Sequence, residues 1–513
     1  MIGCGRRITL AMLRPRRSPA ESPTVRLTGG VRFRRWFAGI ATGVVASLTL
    51  ASCGMGGSGP VEVVVLSPMQ RSVAAAATTL STADRVLLDS VAGPLVRFGR
   101  DGQIEPALAD RWTVIDNGQS YIFRLSRARW SDGRRVNARD VAAALNARLR
   151  SARARPAMRG EFADVESVRA LTDSVVEVRL RQPRSDVLDL LAQSDVAILR
   201  ERRGWGPFAL AWDGATALLR PQAPPGADPL PADAQPAVRL RGGEPRRAVT
   251  RFAANDLDAV LGGKFDSWPY VAAARIAEER VTIDRAPGLF GLAVVSRTGA
   301  LARAEGRRAL AMAIDRERIV TSFGANGWEA LALLRRPRDG TPGPGVPQWI
   351  DAPLAERRTR AAAAVTGDDH RVPLRIALGR SPGERILYAR LRADLARIGV
   401  DLLRVEPAAN ADLRLIDDLA PSDDPLWPMR RLGCGRGPVC NDAWRDAMAA
   451  IAVAPDAATR AQRVTEAESA LLDDALFIPL ATPWRWALST SRAGIIANAR
   501  GRHSLTHLAA PPN

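Results

Sequence analysis

The stretch from Glu105 to Arg150 restricts the possible folds more than any other part of the chain. Arg111 to Ile115 and Ser120 to Leu125 are rich in Trp, Val, Tyr, Ile and Phe, residues suited to a pleated, half-buried surface. Between them stands Asp116-Asn117-Gly118, which tolerates the left-handed backbone of a hairpin turn. Trp130-Ser131-Asp132-Gly133 is a second tight turn. Asn137 then precedes Val141, Leu145 and Leu149, which recur at every fourth residue on one face of a capped helix. The order is hairpin, turn, helix, and nothing in it forms a catalytic constellation.

Five segments of this stretch, Pro106-Ala107-Leu108-Ala109 with Trp112, Asp116 with Gly118, Tyr121 to Leu125, Trp130 to Gly133, and Ala138-Arg139-Asp140-Val141, follow one another in a familiar order and spacing. They closely resemble the signature of the family 5 solute-binding proteins of ABC importers, the dipeptide-, oligopeptide- and nickel-binding group. Further resemblances lie at Gly204 to Leu210, at Ala248 to Asp258, at Ala286 to Val294, in the helical RRALAMAIDRERIV of Arg307 to Val320, and at Phe477-Ile478-Pro479-Leu480. Pro221 to Pro236, with six prolines in sixteen residues, departs from the family and suggests an irregular loop. The resemblance implies an α/β fold of the type II periplasmic binding protein kind: two lobes with mixed sheets joined by crossing strands, plus a subdomain inserted in lobe 1. The expected division is lobe 1 at 61–285 and 478–513, with the insertion at about 95–200, and lobe 2 at 286–477.

The N-terminus has the pattern of an export signal over residues 1–52. Arg32 to Arg35 supply a positive region, and Ala38 to Leu50 is apolar but short for a bilayer span. Leu50-Ala51-Ser52-Cys53 resembles a lipobox, which implies lipid attachment at Cys53 and a flexible tether over residues 53–60. The charge of +19 needs this context, because residues 1–52 alone contribute +8 and leave +11 to the remainder. Lys264 is the only Lys among the 73 basic residues, so the excess of Arg has the look of a codon bias. No basic run is interleaved with aromatics, which argues against a nucleic-acid groove.

Gly379-Arg380-Ser381-Pro382-Gly383 fits the G-x-S-x-G pattern between a strand and a helix, with acids at Asp417 and Asp418 and His503 and His507 following in a hydrolase-like order. Chemistry opposes a serine hydrolase at Ser381, because the next residue, Pro382, has no N–H for an oxyanion hole. Ser381 as an N-cap, Pro382 at the first helical position and Glu384 completing a capping box is the better account. In an exported protein, Cys434 and Cys440, which bracket a Gly/Pro loop, are expected to form a disulfide stabilising by about 2–3 kcal/mol. His370, His503 and His507 are expected to be solvated, and no metal site or cofactor is implied.

The family resemblance implies capture of a small solute, most often a peptide, and its delivery to the permease subunits of an ABC importer. The protein would be exported, periplasmic or on the cell surface, and held to a membrane by its lipid. The alternative without a solute is a degenerate binding fold serving as an envelope interaction module. Cleft candidates near the lobe junction are Lys264, Phe265, Trp268, Phe290, Asp417, Asp418 and Trp427. Peptide-binding members commonly hold the ligand's α-ammonium with an Asp in a D-Y-x-x-P turn. Here alignment on Pro425 puts Pro421 at that position and Ser422 at the Tyr, so the same ion pair is not expected.

Overall fold

In a computed structural model of the chain, the described residues are 59–509 without 72–79, 155–157, 159, 202, 224–235, 338–342, 366–370 and 434–440. Cys53, Cys434, Cys440, His370, the export segment and most of the proline-rich loop therefore lie outside the described residues.

The VEVVV run of Val61–Val65 is buried at all but its second position and is flanked by parallel strands, Val238–Gly242 on one side and Ala259–Lys264 on the other. A near-continuous apolar run of this kind suits a central strand covered on both faces. Pro245–Ala253 is the crossover helix between the two flanking strands, with Pro245 in its first turn and the Glu244 carboxylate accepting from the N–H groups of Arg246 and Arg247. Arg485–Ser489 and Val281–Asp284 extend the sheet on one edge, Thr216–Pro221 and Phe208–Asp213 on the other, to seven strands.

A second sheet has five strands in the order Val400–Val405, Val372–Ala377, Leu413–Leu419, Gly288–Val294, Phe477–Ala481. Its first two strands are parallel and joined by the helix Pro382–Ala396, the βαβ unit expected between Arg371 and Val405. The signature stretch forms a third, four-stranded antiparallel sheet with its own core, in which the helix Ala138–Ala154 contributes Val141, Leu145 and Leu149 against Phe123, Val176 and Val178. Its hairpin turns through Asp116 and Asn117, both at φ 52°, as the Asp-Asn-Gly sequence predicts. Asn137 caps the helix by accepting from the Asp140 N–H at 2.9 Å.

The two larger sheets define two lobes, and the chain passes between them twice, at 285–287 and at 482–484. The return crossing is later than the sequence suggests, because Phe477–Ala481 pairs with Gly288–Val294 in the five-stranded sheet. Around the crossings, Phe265, Trp268, Phe290, Phe323, Trp328, Trp484 and Trp486 pack edge to face or tilted, with ring centroids 4.9–6.4 Å apart. Gly263 is required here, since a Cβ would stand 2.1 Å from the Trp486 ring.

The stretch from Arg307 to Val320 is two helices rather than one, Ala304–Ala313 and Arg316–Thr321. Asp315 interrupts the helical backbone and caps the second helix through the Arg318 N–H, while its own N–H donates to Asp394. The apolar spacing survives the break, which is why it reads as one helix in sequence. His503 and His507 are also not in a solvated tail. His503 is 2.8 Å from Asp284, with both side chains buried, and His507 lies 2.8 Å from the Ala493 carbonyl.

Candidate functional site

Between the two lobes lies a cavity of about 200 Å³. The C-terminal end of the Ala259–Lys264 strand supplies Leu261, Gly262 and Lys264 to one wall. Thr82, Arg85, Val86 and Asp89 of the helix Thr82–Val91 continue it; Thr82, Arg85 and Asp89 fall at spacings of three and four and so share a face. The opposite wall is Asp417, Asp418 and Leu419 of the Leu413–Leu419 strand, with Trp427 and Arg431 from the helix Trp427–Leu432. Asp89, Ser194, Arg502 and His503 also line a neighbouring cavity of about 620 Å³, which runs between the Val96–Phe98 hairpin and the C-terminal segment.

The electrostatics of the cleft follow from its pairs. Asp417 meets Arg485 at 2.7 Å, Asp418 meets Arg431 at 2.6 Å and Asp195 meets Arg85 at 3.1 Å. Asp89 has no such cation among the described residues; it accepts from the Ser194 hydroxyl at 2.8 Å. Burial pushes its carboxyl up to about 7, an effect that the Ser194 hydrogen bond and nearby Arg502 only partly offset. Burial lowers Arg502 to about 10, with Arg85 adding to the shift, and no described residue hydrogen-bonds or ion-pairs with its guanidinium. The Lys264 ammonium likewise has no hydrogen-bond or ion-pair partner among the described residues.

The lobes are closed over this cavity. Arg430, on the five-stranded side, places its guanidinium on Glu161 at 2.8 Å and 3.4 Å and on Asp424 at 2.5 Å. Gln193 donates to the Pro421 carbonyl at 2.6 Å, and the Ser422 hydroxyl donates to Asp186 at 2.7 Å. Although burial alone would raise Asp186, the bidentate Arg184 holds it below the usual carboxylate range. Pro421 and Ser422, the positions aligned with the family's amine-binding turn, are thus engaged with the inserted subdomain.

Of the seven cleft candidates, Lys264, Asp417, Asp418 and Trp427 line the cavity. Phe265, Trp268 and Phe290 instead belong to the aromatic core at the crossings. Sequence reasoning missed Arg85, Asp89, Arg431, Arg485 and Arg502. The polar face of the helix at 82, 85 and 89 was a usable signal; the other arginines stand out from no background in so Arg-rich a chain. Ser381 is an N-cap as expected. Its Oγ accepts from the Glu384 N–H at 3.2 Å, and the Glu384 carboxylate accepts from the N–H groups of Ser381 and Gly379 at 3.0 Å. The second Gly of the pattern, Gly383, allows close approach to the Phe265 carbonyl, 2.2 Å from where a Cβ would stand. Among the described residues no three His, Cys, Asp or Glu side chains are grouped to hold a metal ion.

The raised Asp89 has a thermodynamic signature. Between its ordinary value of 3.8 and about 7 the folded state keeps a proton that the unfolded state has lost, so its contribution to stability falls as pH rises through that window. Asp89→Asn removes this fall. Urea unfolding midpoints measured at about pH 4.5 and about pH 7.5 are expected to move in favour of the variant, relative to the parent, at the higher pH. A difference that stays constant between the two would contradict the assignment.

Residues 103–218 match the model of the bacterial extracellular solute-binding proteins, family 5. A segment of 120 residues is 35% identical to the probable deoxycholate-binding periplasmic protein YgiS of Escherichia coli K12, covering 20% of this chain and 22% of that protein. The matched part thus spans about a fifth of that curated relative's length. Among solved structures, the Escherichia coli murein tripeptide binding protein MppA superposes with a TM-score of 0.72 at 16% identity, over 87% of this chain and 98% of its own. Haemophilus influenzae OppA, in complex with the peptide RPPGFSPFR, superposes with a TM-score of 0.70 at 16% identity over the same shares. These likenesses extend the fold across both lobes, well beyond the matched segment. That segment thus resembles the family 5 extracellular solute-binding proteins, and the likeness to the solved structures shows the same fold over both lobes.

Proposed function

We propose that this protein captures a small solute outside the cytoplasmic membrane, in the cleft between its lobes, and presents it to the permease subunits of an ABC importer. The observation that carries the proposal is the closure itself. The contacts of Arg430 with Glu161, of Gln193 with Pro421 and of Ser422 with Asp186 join segments more than two hundred residues apart across the two sides of the cleft. Such contacts exist only while the lobes are together. A solute that touches both walls adds to them and shifts the population towards the closed form, with the crossings at 285–287 and 482–484 as the hinge. The inter-lobe cavity of about 200 Å³ is below the range of about 300–1,000 Å³ usual for small-molecule sites, and reaches it only with its neighbour. A solute of modest size fits that volume.

A peptide remains the solute class that the family suggests, but with a different anchor. Asp417 and Asp418 are each occupied by an arginine, so an α-ammonium would have to displace Arg485 or Arg431 to reach them. The reading is capture, and the hydrolase alternative at Ser381 is disfavoured because its hydroxyl is committed to a helix cap. Native mass spectrometry of the protein purified from its own cells tests the proposal. One small molecule per chain, lost on unfolding and restored by adding the released fraction back to refolded protein, is the expected result. Protein that carries nothing, and whose melting temperature no small-molecule fraction raises, would overturn it.

We also propose that Cys53 carries the membrane anchor and that residues 53–60 are the tether, on the strength of the Leu50-Ala51-Ser52-Cys53 sequence. No helix among the described residues is long and apolar enough to cross a membrane, so a lipid would supply the attachment. Cys53→Ala should release the protein from the membrane fraction and abolish fatty-acid incorporation; a variant that keeps both would contradict the anchor.

A further inference from the structure

The cleft is unbalanced in one direction. Among the described residues four carboxylates line it, and three of them, Asp195, Asp417 and Asp418, are matched by Arg85, Arg485 and Arg431. The fourth, Asp89, holds its proton more tightly than an ordinary carboxyl and leans on the Ser194 hydroxyl. Two cations are left over, Lys264 on the strand end and Arg502 on the C-terminal segment, and neither has a hydrogen-bond or ion-pair partner among the described residues. Asp266 follows Lys264 closely in sequence, but no ion pair joins them, and burial holds its carboxyl above the usual range. In the opposite wall the buried indole N–H of Trp427 meets no acceptor among the described residues. The unanswered groups are therefore mainly donors, and two of them are charged.

Asp195 and Asp89 act on the Arg502 guanidinium only through space, and leaving a desolvated guanidinium without a bonded counter-charge is costly. Arg502 is enclosed yet lines both cavities, the position of a group whose partner arrives from outside. Lys264 adds a second argument. It is the single Lys among 73 basic residues, and it stands at the cleft. An ammonium is a compact point charge on a flexible stem, able to follow an oxyanion as the lobes close.

We propose that the cleft takes an acidic solute, whose carboxylate or other oxyanion is held jointly by Lys264 and Arg502. This rests on the solute-binding reading above. It reverses the polarity of an amine anchor, since the solute's negative end, and not a positive one, fixes its orientation. A charge-assisted contact to either cation needs an oxyanion at about 2.7–2.9 Å.

The experiment uses the mature full-length protein and a metabolite extract of its own cells, divided on an anion exchanger at neutral pH into retained and unretained fractions. Each fraction is scored by native mass spectrometry and by thermal shift. The captured molecule is expected in the retained, anionic fraction. Lys264→Gln and Arg502→Gln should each weaken its capture at least tenfold, and Lys264→Arg should recover part of the loss. If Arg502→Gln does not fold, Lys264→Gln, at a half-buried position, carries the test alone. Capture from the unretained fraction, or undiminished capture by Lys264→Gln, would overturn the acidic-solute proposal while leaving solute binding intact. Capture from neither fraction would overturn solute binding itself, and this proposal with it.

Discussion

Arg430 joins what the chain separates. Its guanidinium lies on Glu161, 269 residues away in sequence, and on Asp424, and the closed arrangement of the cleft depends on that shared contact. The Glu161 side chain is almost wholly buried and that of Arg430 is only 19% exposed, so much of the Coulombic gain goes to offset desolvation. A contact of this kind fixes register more than it adds stability. Where closure lies near balance, a solute needs only modest differential affinity to decide it. Asp186, Ser422, Gln193 and the Pro421 carbonyl extend the same seam, so the lobe faces meet in one register.

The hinge is built on different principles from the seam. Aromatic rings fill the space around the two crossings, and Gly263 lets Trp486 lie against the strand backbone. Trp486 donates to the Lys264 carbonyl at 2.8 Å, which fixes the end of the strand on which the cleft lysine stands. Arg316 is buried without an ion-paired carboxylate among the described residues and donates instead to the carbonyls of Pro479, Ala311 and Ile314, tying the broken helix to the last strand of its sheet. Burial and neighbouring Arg357 bring it down to about 9. Aromatic packing around the crossings and a polar seam divide the work: one holds the lobes together, the other decides how they face.

How far the sequence could be read depended on what kind of signal each part carries. The hairpin at Asp116-Asn117-Gly118, the capping box at Ser381 and the βαβ unit from Arg371 to Val405 were legible because turn chemistry and periodicity are local. The break at Asp315 was hidden, since a cap inside an unbroken apolar pattern leaves no trace in the spacing. Half of the cleft was hidden for another reason. Lys264 and Trp427 were legible from their place after the junction strands, and Asp417 and Asp418 from the stretch that aligns with the amine-binding turn, but their partners Arg485 and Arg431, and Arg502 beside them, are ordinary residues in an arginine-rich chain. Only the fold gives them a role. Phe265, Trp268 and Phe290 failed as cleft residues because the same position beside the junction serves the hinge core equally well.

The central claim is that the lobes close as a two-state hinge whose closed form is held by the seam at Arg430 and completed by a solute. Small-angle X-ray scattering on the mature protein, stripped of solute by unfolding and refolding and then loaded again, tests it most directly. The account predicts a smaller radius of gyration on loading, and an Arg430→Ala variant that stays expanded without solute and contracts only at higher solute concentration. A radius unchanged by loading in both proteins would contradict it.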